Sequence, residues 1–205
     1  QGVDLAFRSV LAGSAFVNEV PPAGEVLHLP FEDIPADDGV LILHDVSGAG
    51  PDGTCSESGC PTPGQSSPSG NALWFDGADD YVAVPLDVSE TAYALALWFK
   101  TDCAGCGIFS ADAGVLGPDH DRHVYLNAGN VCARVWSNET ICTTGTDYAD
   151  GAWHHVVHTF GGTVGGQKLY LDGALAASGA KAASDFDWQD GINIGFSYDG
   201  GLDYF

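Results

Sequence analysis

The most informative part of the sequence is Asn71–Pro85, which reads Asn-Ala-Leu-Trp-Phe-Asp-Gly-Ala-Asp-Asp-Tyr-Val-Ala-Val-Pro. An apolar run over 72–75 meets a turn over 76–79, and alternating apolar residues resume at Tyr81. This pattern predicts a β-hairpin with an acidic tip. The rest of the chain repeats short apolar runs between Gly and Asp turns.

The tip of this hairpin carries three carboxylates with no Lys or Arg nearby, at Asp76, Asp79 and Asp80. Like charges this close repel one another unless a cation lies among them, and Ca²⁺ is a hard cation that prefers oxygen ligands. The alternative is a solvated acidic turn that protects the hairpin edge from aggregation. The turn alone leaves both interpretations open.

The composition is that of a folded, strongly acidic protein. The 205-residue chain has 28 acidic and 6 basic residues, a net charge of -22, and 45% hydrophobic residues. That hydrophobic share supplies a core, so the acidity does not signal disorder. Nucleic acids and anionic lipids are bound through Lys and Arg, which argues against both as partners and favours cations. The sequence has no apolar run long enough for membrane insertion.

Six cysteines fall into three closely spaced pairs, which favours local disulfides formed in an oxidising compartment. The predicted bridges are Cys55–Cys60, Cys103–Cys106 and Cys132–Cys142. The Cys-Ala-Gly-Cys spacing of 103–106 also occurs in zinc and redox motifs. Zinc needs a second pair nearby, a redox pair is expected to open a helix, and the sequence shows neither. We predict a secreted protein whose export signal has been removed.

Short strand-like runs recur along the chain, and no segment has the periodicity of an amphipathic helix. Besides the central stretch, strands are predicted at Val3–Phe7, 25–31, 40–43, 93–99, 107–110, 123–127, 131–136, 139–143, 153–160, 168–171, 174–178 and 192–196, with a long surface loop over 45–70. Such a pattern predicts an all-β fold, a two-sheet antiparallel β-sandwich of jelly-roll type.

Five motifs follow one another at characteristic spacings: Leu-Trp-Phe-Asp-Gly-Ala-Asp-Asp-Tyr-Val at 73–82, Ala-Leu-Trp-Phe-Lys at 96–100, Asp-Gly-Ala-Trp-His-His-Val at 150–156, Lys-Leu-Tyr-Leu-Asp-Gly at 168–173 and Gly-Ile-Asn-Ile-Gly at 191–195. Together they resemble the laminin G-like, concanavalin A-like jelly-roll family, roughly over residues 26–205. The stretches 27–33 and 45–48 resemble its opening strand and loop. The resemblance implies two antiparallel sheets, secretion, carbohydrate or protein binding, and calcium at the sheet edge.

The family's closing strand does not follow Tyr204-Phe205, and its pattern occurs instead in residues 1–12. Reading Phe205 directly into Gln1 restores the family order. We therefore expect a closing strand displaced to the N-terminus, with strand and connector over 1–24 and the jelly-roll domain over 25–205. A unit of a head-to-tail repeat array, a circular permutation, and a strand that completes a neighbouring copy all fit this order.

The resemblance also implies a calcium site, built from carboxylates and a backbone carbonyl. Its predicted ligands are Asp76, the Gly77 carbonyl, Glu32 or Asp33 from the opening strand, and Asp4 from the closing strand. A second metal site is conceivable at His154, His155 and His158, but on a strand His155 points away from the other two. We interpret these histidines as packing residues.

Carbohydrate binding uses exposed aromatic side chains, and the candidates here are Trp136, Trp188 and Tyr198. Ordinary partial burial is the alternative for the first two. The tryptophans of the strand motifs are predicted to lie in the core; these are Trp74, Trp98 and Trp153. Asn138-Glu139-Thr140 fits the pattern of a glycosylation acceptor.

An enzyme is not predicted. Glycoside hydrolases need two carboxylates about 5–9 Å apart across a cleft, and related enzymes carry Glu-x-Asp-x-x-Glu on one strand. The chain lacks this motif, and residues such as Glu90 and Glu139 stand singly in turns. The favoured function is a calcium-stabilised structural or adhesive module that assembles head to tail with neighbouring copies outside the cell. The alternative is a lectin-like module that binds extracellular glycans or surface proteins.

Overall fold

The computed structural model describes residues 3–7, 24–33, 40–55, 57–117, 119–137, 139–199 and 203–205. These residues form two antiparallel β-sheets, and the predicted all-β sandwich is confirmed. Across these ranges the helical segments are two short 3-10 helices, Glu57–Gly59 and Gly162–Val164. No helix of the described chain is long and apolar enough to cross a membrane. Asn138 lies outside these ranges.

Sheet A has seven strands. They are β1 (Val3–Phe7), β4 (Thr62–Ser67), β5 (Gly70–Phe75), β7 (Ala92–Lys100), β12 (Trp153–Gly161), β13 (Gly166–Leu171) and β14 (Ala174–Gly179). Their order across the sheet is β14-β13-β12-β7-β1-β5-β4. The strand at the N-terminus therefore occupies an interior position, with partners on both sides.

Sheet B has eight strands. They are β2 (Leu41–Leu43), β3 (Gly53–Cys55), β6 (Val82–Val84), β8 (Gly107–Asp112), β9 (His120–Asn127), β10 (Asn130–Val135), β11 (Glu139–Cys142) and β15 (Gly191–Ile194). Their order is β11-β10-β9-β8-β15-β6-β3-β2. The predicted loop over 45–70 thus contains two strands.

The core lies between the sheets because apolar residues alternate along the strands. In sheet A, Leu95, Leu97 and Phe99 of β7 are buried, and in sheet B, Val124 and Leu126 of β9 belong to the same cluster. The intervening residues of each strand face away from the core. This alternation defines an outer face for each sheet.

The displaced closing strand pairs within sheet A of its own chain. Val3 is opposite Phe75 of β5, and Phe7 is opposite Leu97 of β7, with both pairings antiparallel. The ring of Phe205 lies 6.1 Å from that of Phe75. Residue 205 and residue 3 thus meet at the same end of β5, as expected if the closing strand of the family order is residues 3–7.

Two local predictions are wrong. The central stretch is not a hairpin, because β5 belongs to sheet A and β6 to sheet B; the acidic turn instead carries the chain from one sheet to the other. The predicted strand over 25–31 forms no ladder, although Leu27 and Leu29 are buried in the core. Pro30 and the positive φ of Phe31, 59°, interrupt this segment.

Hydrogen bonds among buried and half-buried polar side chains link the two sheets. The hydroxyl of Tyr93 lies 2.7 Å from Nδ1 of His158, whose Nε2 lies 3.0 Å from Oε1 of Gln167. The Gln167 amide in turn donates to Glu139 of sheet B. Burial lowers the pKa of His158 to about 4, so the imidazole is neutral at pH 7.

Acid should therefore weaken the fold through His158. An unfolded histidine has a pKa of about 6.5, so protons bind preferentially to the unfolded chain as pH falls from 6.5 towards 4. The lower pKa of folded His158 corresponds to about 3 kcal/mol of unfolding free energy at neutral pH, and this contribution is lost by about pH 4. Urea unfolding at pH 7 and pH 5 should show about 2 kcal/mol of this loss. His158→Gln should flatten the pH dependence, whereas His44→Gln, at an exposed site, should leave it unchanged; equal slopes for all three chains would contradict the prediction.

Candidate functional site

The acidic turn between β5 and β6 gathers Asp76, Asp79 and Asp80, with one oxygen from each within 4.8 Å of the others. Asp80 accepts a hydrogen bond from the backbone N–H of Asp76 at 2.8 Å, which fixes the turn. Burial, together with the charges of the other two carboxylates, raises the pKa of Asp80 to about 6. A bound cation would favour the charged form. The donors are all oxygen atoms, which fits a hard cation such as Ca²⁺.

The structure does not bring Glu32 and Asp33 to this turn. Glu32 accepts hydrogen bonds from the backbone and side-chain N–H groups of Asn71, at the start of β5. That position is about 16 Å from Asp76 at the strand rise of about 3.3 Å per residue. Asp33 accepts from the backbone N–H of His44 instead. These two predicted calcium ligands therefore lie apart from the acidic turn, because Glu32 is bonded to Asn71 of β5 and Asp33 to the backbone of His44.

Gly77 belongs to the turn, and Asp4 lies next to it. Gly77 has φ 75°, in the left-handed region, and the Phe205 carbonyl oxygen lies 3.8 Å from where a Cβ would stand. Asp4 pairs with Trp74, two residues before Asp76. Their participation in a calcium site stays a prediction.

The outer face of sheet B carries a second, unpredicted group of polar residues. Arg134 lies between the buried residues Ala133 and Val135, and Asn193 lies between the core residues Ile192 and Ile194, so both face outward. Strand register continues this row across seven strands: Thr54, Ala83, Asn193, Ser110, His123, Arg134 and Thr140. We call this row and its bonded neighbours the outer-face site.

The polar side chains of the outer-face site are bonded to one another. His123 lies 2.9 Å from the Ser197 hydroxyl and 2.7 Å from His120. Arg134 donates to Asp199 at 2.7 Å. The segment that follows β15 thus crosses this face and is bonded to it through Ser197 and Asp199.

Four buried polar atoms of the outer-face site have no hydrogen-bond partner among the described residues. They are the acceptors Asp112 Oδ1, Asn193 Oδ1 and Asp199 Oδ2 and the donor Trp136 Nε1. A buried polar atom without a partner costs about 1–3 kcal/mol. Because these atoms are closed off from solvent, the group that can satisfy them is ordered water.

The three predicted carbohydrate-binding aromatics meet beside these atoms in one aromatic cluster. His120 lies 5.0 Å from Tyr198 and 5.6 Å from Trp136, and Phe186 connects Trp136 to Trp188 at 6.5 and 5.1 Å. Tyr198 is 37% exposed, and the two tryptophans are half-buried. The sequence thus indicated Trp136, Trp188 and Tyr198 but not His120 and Phe186, which connect them.

The outer-face site carries little net charge at neutral pH. Burial lowers the pKa of His120 and, more strongly, that of His123, so both rings are neutral. The one cation, Arg134, is paired with Asp199 and lies 4.0 Å above the Trp136 ring. Burial raises the pKa of Asp112 to about 6, so this carboxyl is still mostly ionised at pH 7. The site therefore carries about one negative charge, which disfavours an anionic ligand.

Two tryptophans that were expected in the core, Trp74 and Trp98, face outward instead. Trp98 lies between the core residues Leu97 and Phe99 and therefore faces outward from sheet A, where its ring packs 5.0 Å from His155. Trp74 likewise lies between the core residues Leu73 and Phe75. Their prediction as core residues is wrong, because each takes the outward phase of its strand.

Two of the three predicted disulfides are present. Cys55 is bonded to Cys60, and Cys132 of β10 is bonded to Cys142, its direct cross-strand partner in β11. The prediction for the third pair is wrong, because Cys103 and Cys106 are free thiols. The Cys106 thiol donates to the Cys103 carbonyl oxygen at 3.4 Å.

Comparison with known proteins agrees with this architecture. No curated protein matches the chain. Residues 76–205 match the family model of laminin G-like domains described as the concanavalin A-like lectin/glucanases superfamily. The match begins at the acidic turn and extends through the aromatic cluster to Phe205. It spans more than half of the sequence, and the chain therefore belongs to the laminin G-like domains of the concanavalin A-like lectin/glucanases superfamily.

Proposed function

We propose that the protein is a non-catalytic extracellular module that binds a neutral carbohydrate on the outer-face site. The observation that carries this proposal is the aromatic cluster, in which Tyr198 is 37% exposed and Trp136 and Trp188 are half-buried. Sugar hydroxyls both donate and accept, and the apolar face of a sugar ring suits an aromatic side chain. Domains of this family are generally non-catalytic binding modules. The two disulfides favour an extracellular location.

The test is a screen of the full chain on an array of neutral and acidic glycans. The proposal predicts binding to neutral glycans, with an affinity that Trp136→Ala lowers about tenfold or more, the loss of about 1.4 kcal/mol expected for a buried aromatic contact. Trp98→Ala is the matched control, since it removes a half-buried tryptophan from the other sheet. Equal losses in the two variants, or no bound glycan at all, would overturn the proposal.

The calcium site of the acidic turn belongs to the same proposal. Asp76, Asp79 and Asp80 supply the oxygen ligands, and a bound ion would stabilise the fold by holding the crossing from sheet A to sheet B. A ligand at 100 times its Kd adds about 2.7 kcal/mol to the stability of the native state.

Calcium removal should therefore lower the melting temperature. We expect a drop of about 5–10 °C when EDTA replaces millimolar Ca²⁺, from the entropy of unfolding of a chain of this size. Asp79→Asn should melt at nearly the same temperature in both buffers, whereas Asp87→Asn, an acidic residue outside the cluster, should respond like the unaltered chain. A melting temperature of the unaltered chain that EDTA does not move would contradict the calcium site.

Head-to-tail assembly is a second candidate function, supported by a separate observation. Phe205 and Val3 meet at Phe75, so a segment that continues from residue 205 can reach the position of β1 within a few residues. The position between β5 and β7 in sheet A can thus accept the chain's own strand or that of a neighbouring copy. A heterologous contact of this kind leads to an open filament. Extracellular glycans or surface proteins remain the partners of the first candidate.

A further inference from the structure

The turn between β7 and β8 holds two thiols in unequal surroundings. Cys103 is half-exposed in the turn, whereas Cys106 is fully buried. Two other cysteine pairs of the chain are bridged, and this pair is not. The difference sets 103–106 apart from the structural disulfides.

The backbone of this turn is held on both sides. The Ala104 carbonyl accepts from Gly129 N–H at 2.9 Å, and the Cys106 carbonyl accepts from Leu126 N–H at 2.8 Å. Cys103 N–H donates to the Thr101 hydroxyl at 2.8 Å. Both sulfurs are therefore positioned by packing against β9 and by the turn, without a helix.

We propose that Cys103 and Cys106 form a thiol–disulfide exchange site, with Cys103 as the attacking thiol, Cys106 as the resolving thiol, and a disulfide supplied in trans as the oxidant. The Cys103 thiolate attacks one sulfur of that disulfide, forms a mixed disulfide and releases the other sulfur as a thiolate. Cys106 then loses its proton and attacks the Cys103 sulfur, which releases the second thiolate. One disulfide is reduced to two thiols, and the Cys103–Cys106 disulfide forms.

The interaction between the two sulfurs suits this order of attack. The neighbouring Cys106 thiol lowers the pKa of Cys103 to about 7, and the neighbouring Cys103, together with burial, raises the pKa of Cys106. The thiolate is the nucleophile in exchange. Cys103 is therefore the charged and accessible partner near neutral pH, and Cys106 stays protonated until the mixed disulfide brings its target within reach.

The experiment equilibrates the full chain with glutathione and glutathione disulfide at a series of ratios, followed by acid quench, alkylation and peptide mass spectrometry. Trypsin releases residues 101–122 as one peptide that carries both cysteines. We expect this pair to pass from dithiol to disulfide across the series, while 55–60 and 132–142 stay oxidised at every ratio. In Cys106→Ser a glutathione adduct should accumulate on Cys103; in Cys103→Ser the buried Cys106 should carry about tenfold less adduct.

Two results would overturn the proposal. A 103–106 disulfide that stays closed at every ratio, like the other two, would make it a third structural bridge. Thiols that stay reduced, with no adduct on Cys103 in Cys106→Ser, would make the pair inert. Circular dichroism of both variants shows whether each result comes from a folded chain.

Discussion

Removal of residues 1–10 is expected to abolish the folded monomer. These residues contain β1, which lies between β5 and β7 in the interior of sheet A. Its loss would leave unpaired N–H and C=O groups along both neighbouring strands and detach β4 and β5 from the rest of the sheet. Open edges of this kind attract strands from other chains. Size-exclusion chromatography with light scattering should show aggregates, and thermal unfolding should lose its cooperative transition.

Restoring the strand from another direction separates self-completion from assembly. Addition of residues 1–10 after Phe205 in the shortened chain should restore a soluble monomer, because residue 205 already lies beside Phe75. A synthetic peptide of residues 1–10, added in trans, should rescue the shortened chain, and a scrambled peptide should not. A shortened chain that folds unaided would show that the fold does not require a strand between β5 and β7. Filaments of the unaltered chain at high concentration would favour exchange between copies.

The sandwich was predictable from the sequence because its evidence is local. Alternation of apolar residues and Gly or Asp turns identified most strands, and the displaced strand was recognised from its closing pattern. The acidic turn was misread as a hairpin tip, since a short turn between apolar runs looks the same whether the next strand pairs or changes sheet. Register decides between these outcomes, and register is set by long-range packing.

The outer-face site was beyond prediction for the same reason. His123 and Asn193 each occupy an outward position on a strand, where a polar residue ordinarily meets solvent. Their proximity depends on pairing between strands distant in sequence, β9 with β8 and β8 with β15. A register shift between Ala111 and Asp112 of β8 pairs Asp112 with His120 of β9. His120 therefore joins the outward-facing residues of the site. The sequence shows no signal for that shift.

Loss of Asp121 is expected to have the second-largest effect. Its carboxylate lies 3.0 Å from Nε of Arg122, and both side chains are fully buried. Asp121 also accepts from the Ser184 hydroxyl and lies against the backbone N–H of Trp136. Asp121→Ala would leave a buried guanidinium without its closest counter-charge, which costs about 3–5 kcal/mol. Glu90, 3.8 Å from Arg122, should keep the cost near the lower value.

Thermal unfolding measures this effect against a matched control. A loss of about 3 kcal/mol corresponds to a melting temperature roughly 6–12 °C lower for a chain of this length. Asp185→Ala removes an exposed carboxylate that pairs with Lys181 and Ser137 and should change the melting temperature little. If the two variants melt alike, the buried Asp121–Arg122 pair does not stabilise the fold.

The most direct test of carbohydrate binding is to locate a bound neutral oligosaccharide by NMR titration of the isotope-labelled full chain. The proposal predicts saturable shifts confined to the aromatic cluster beside the outer face of sheet B, at the side-chain signals of Trp136, Trp188 and Tyr198. The signals of Trp98 on sheet A should stay in place. Saturable shifts centred on another surface, or no shifts from any neutral glycan found on the array, would contradict the proposed site.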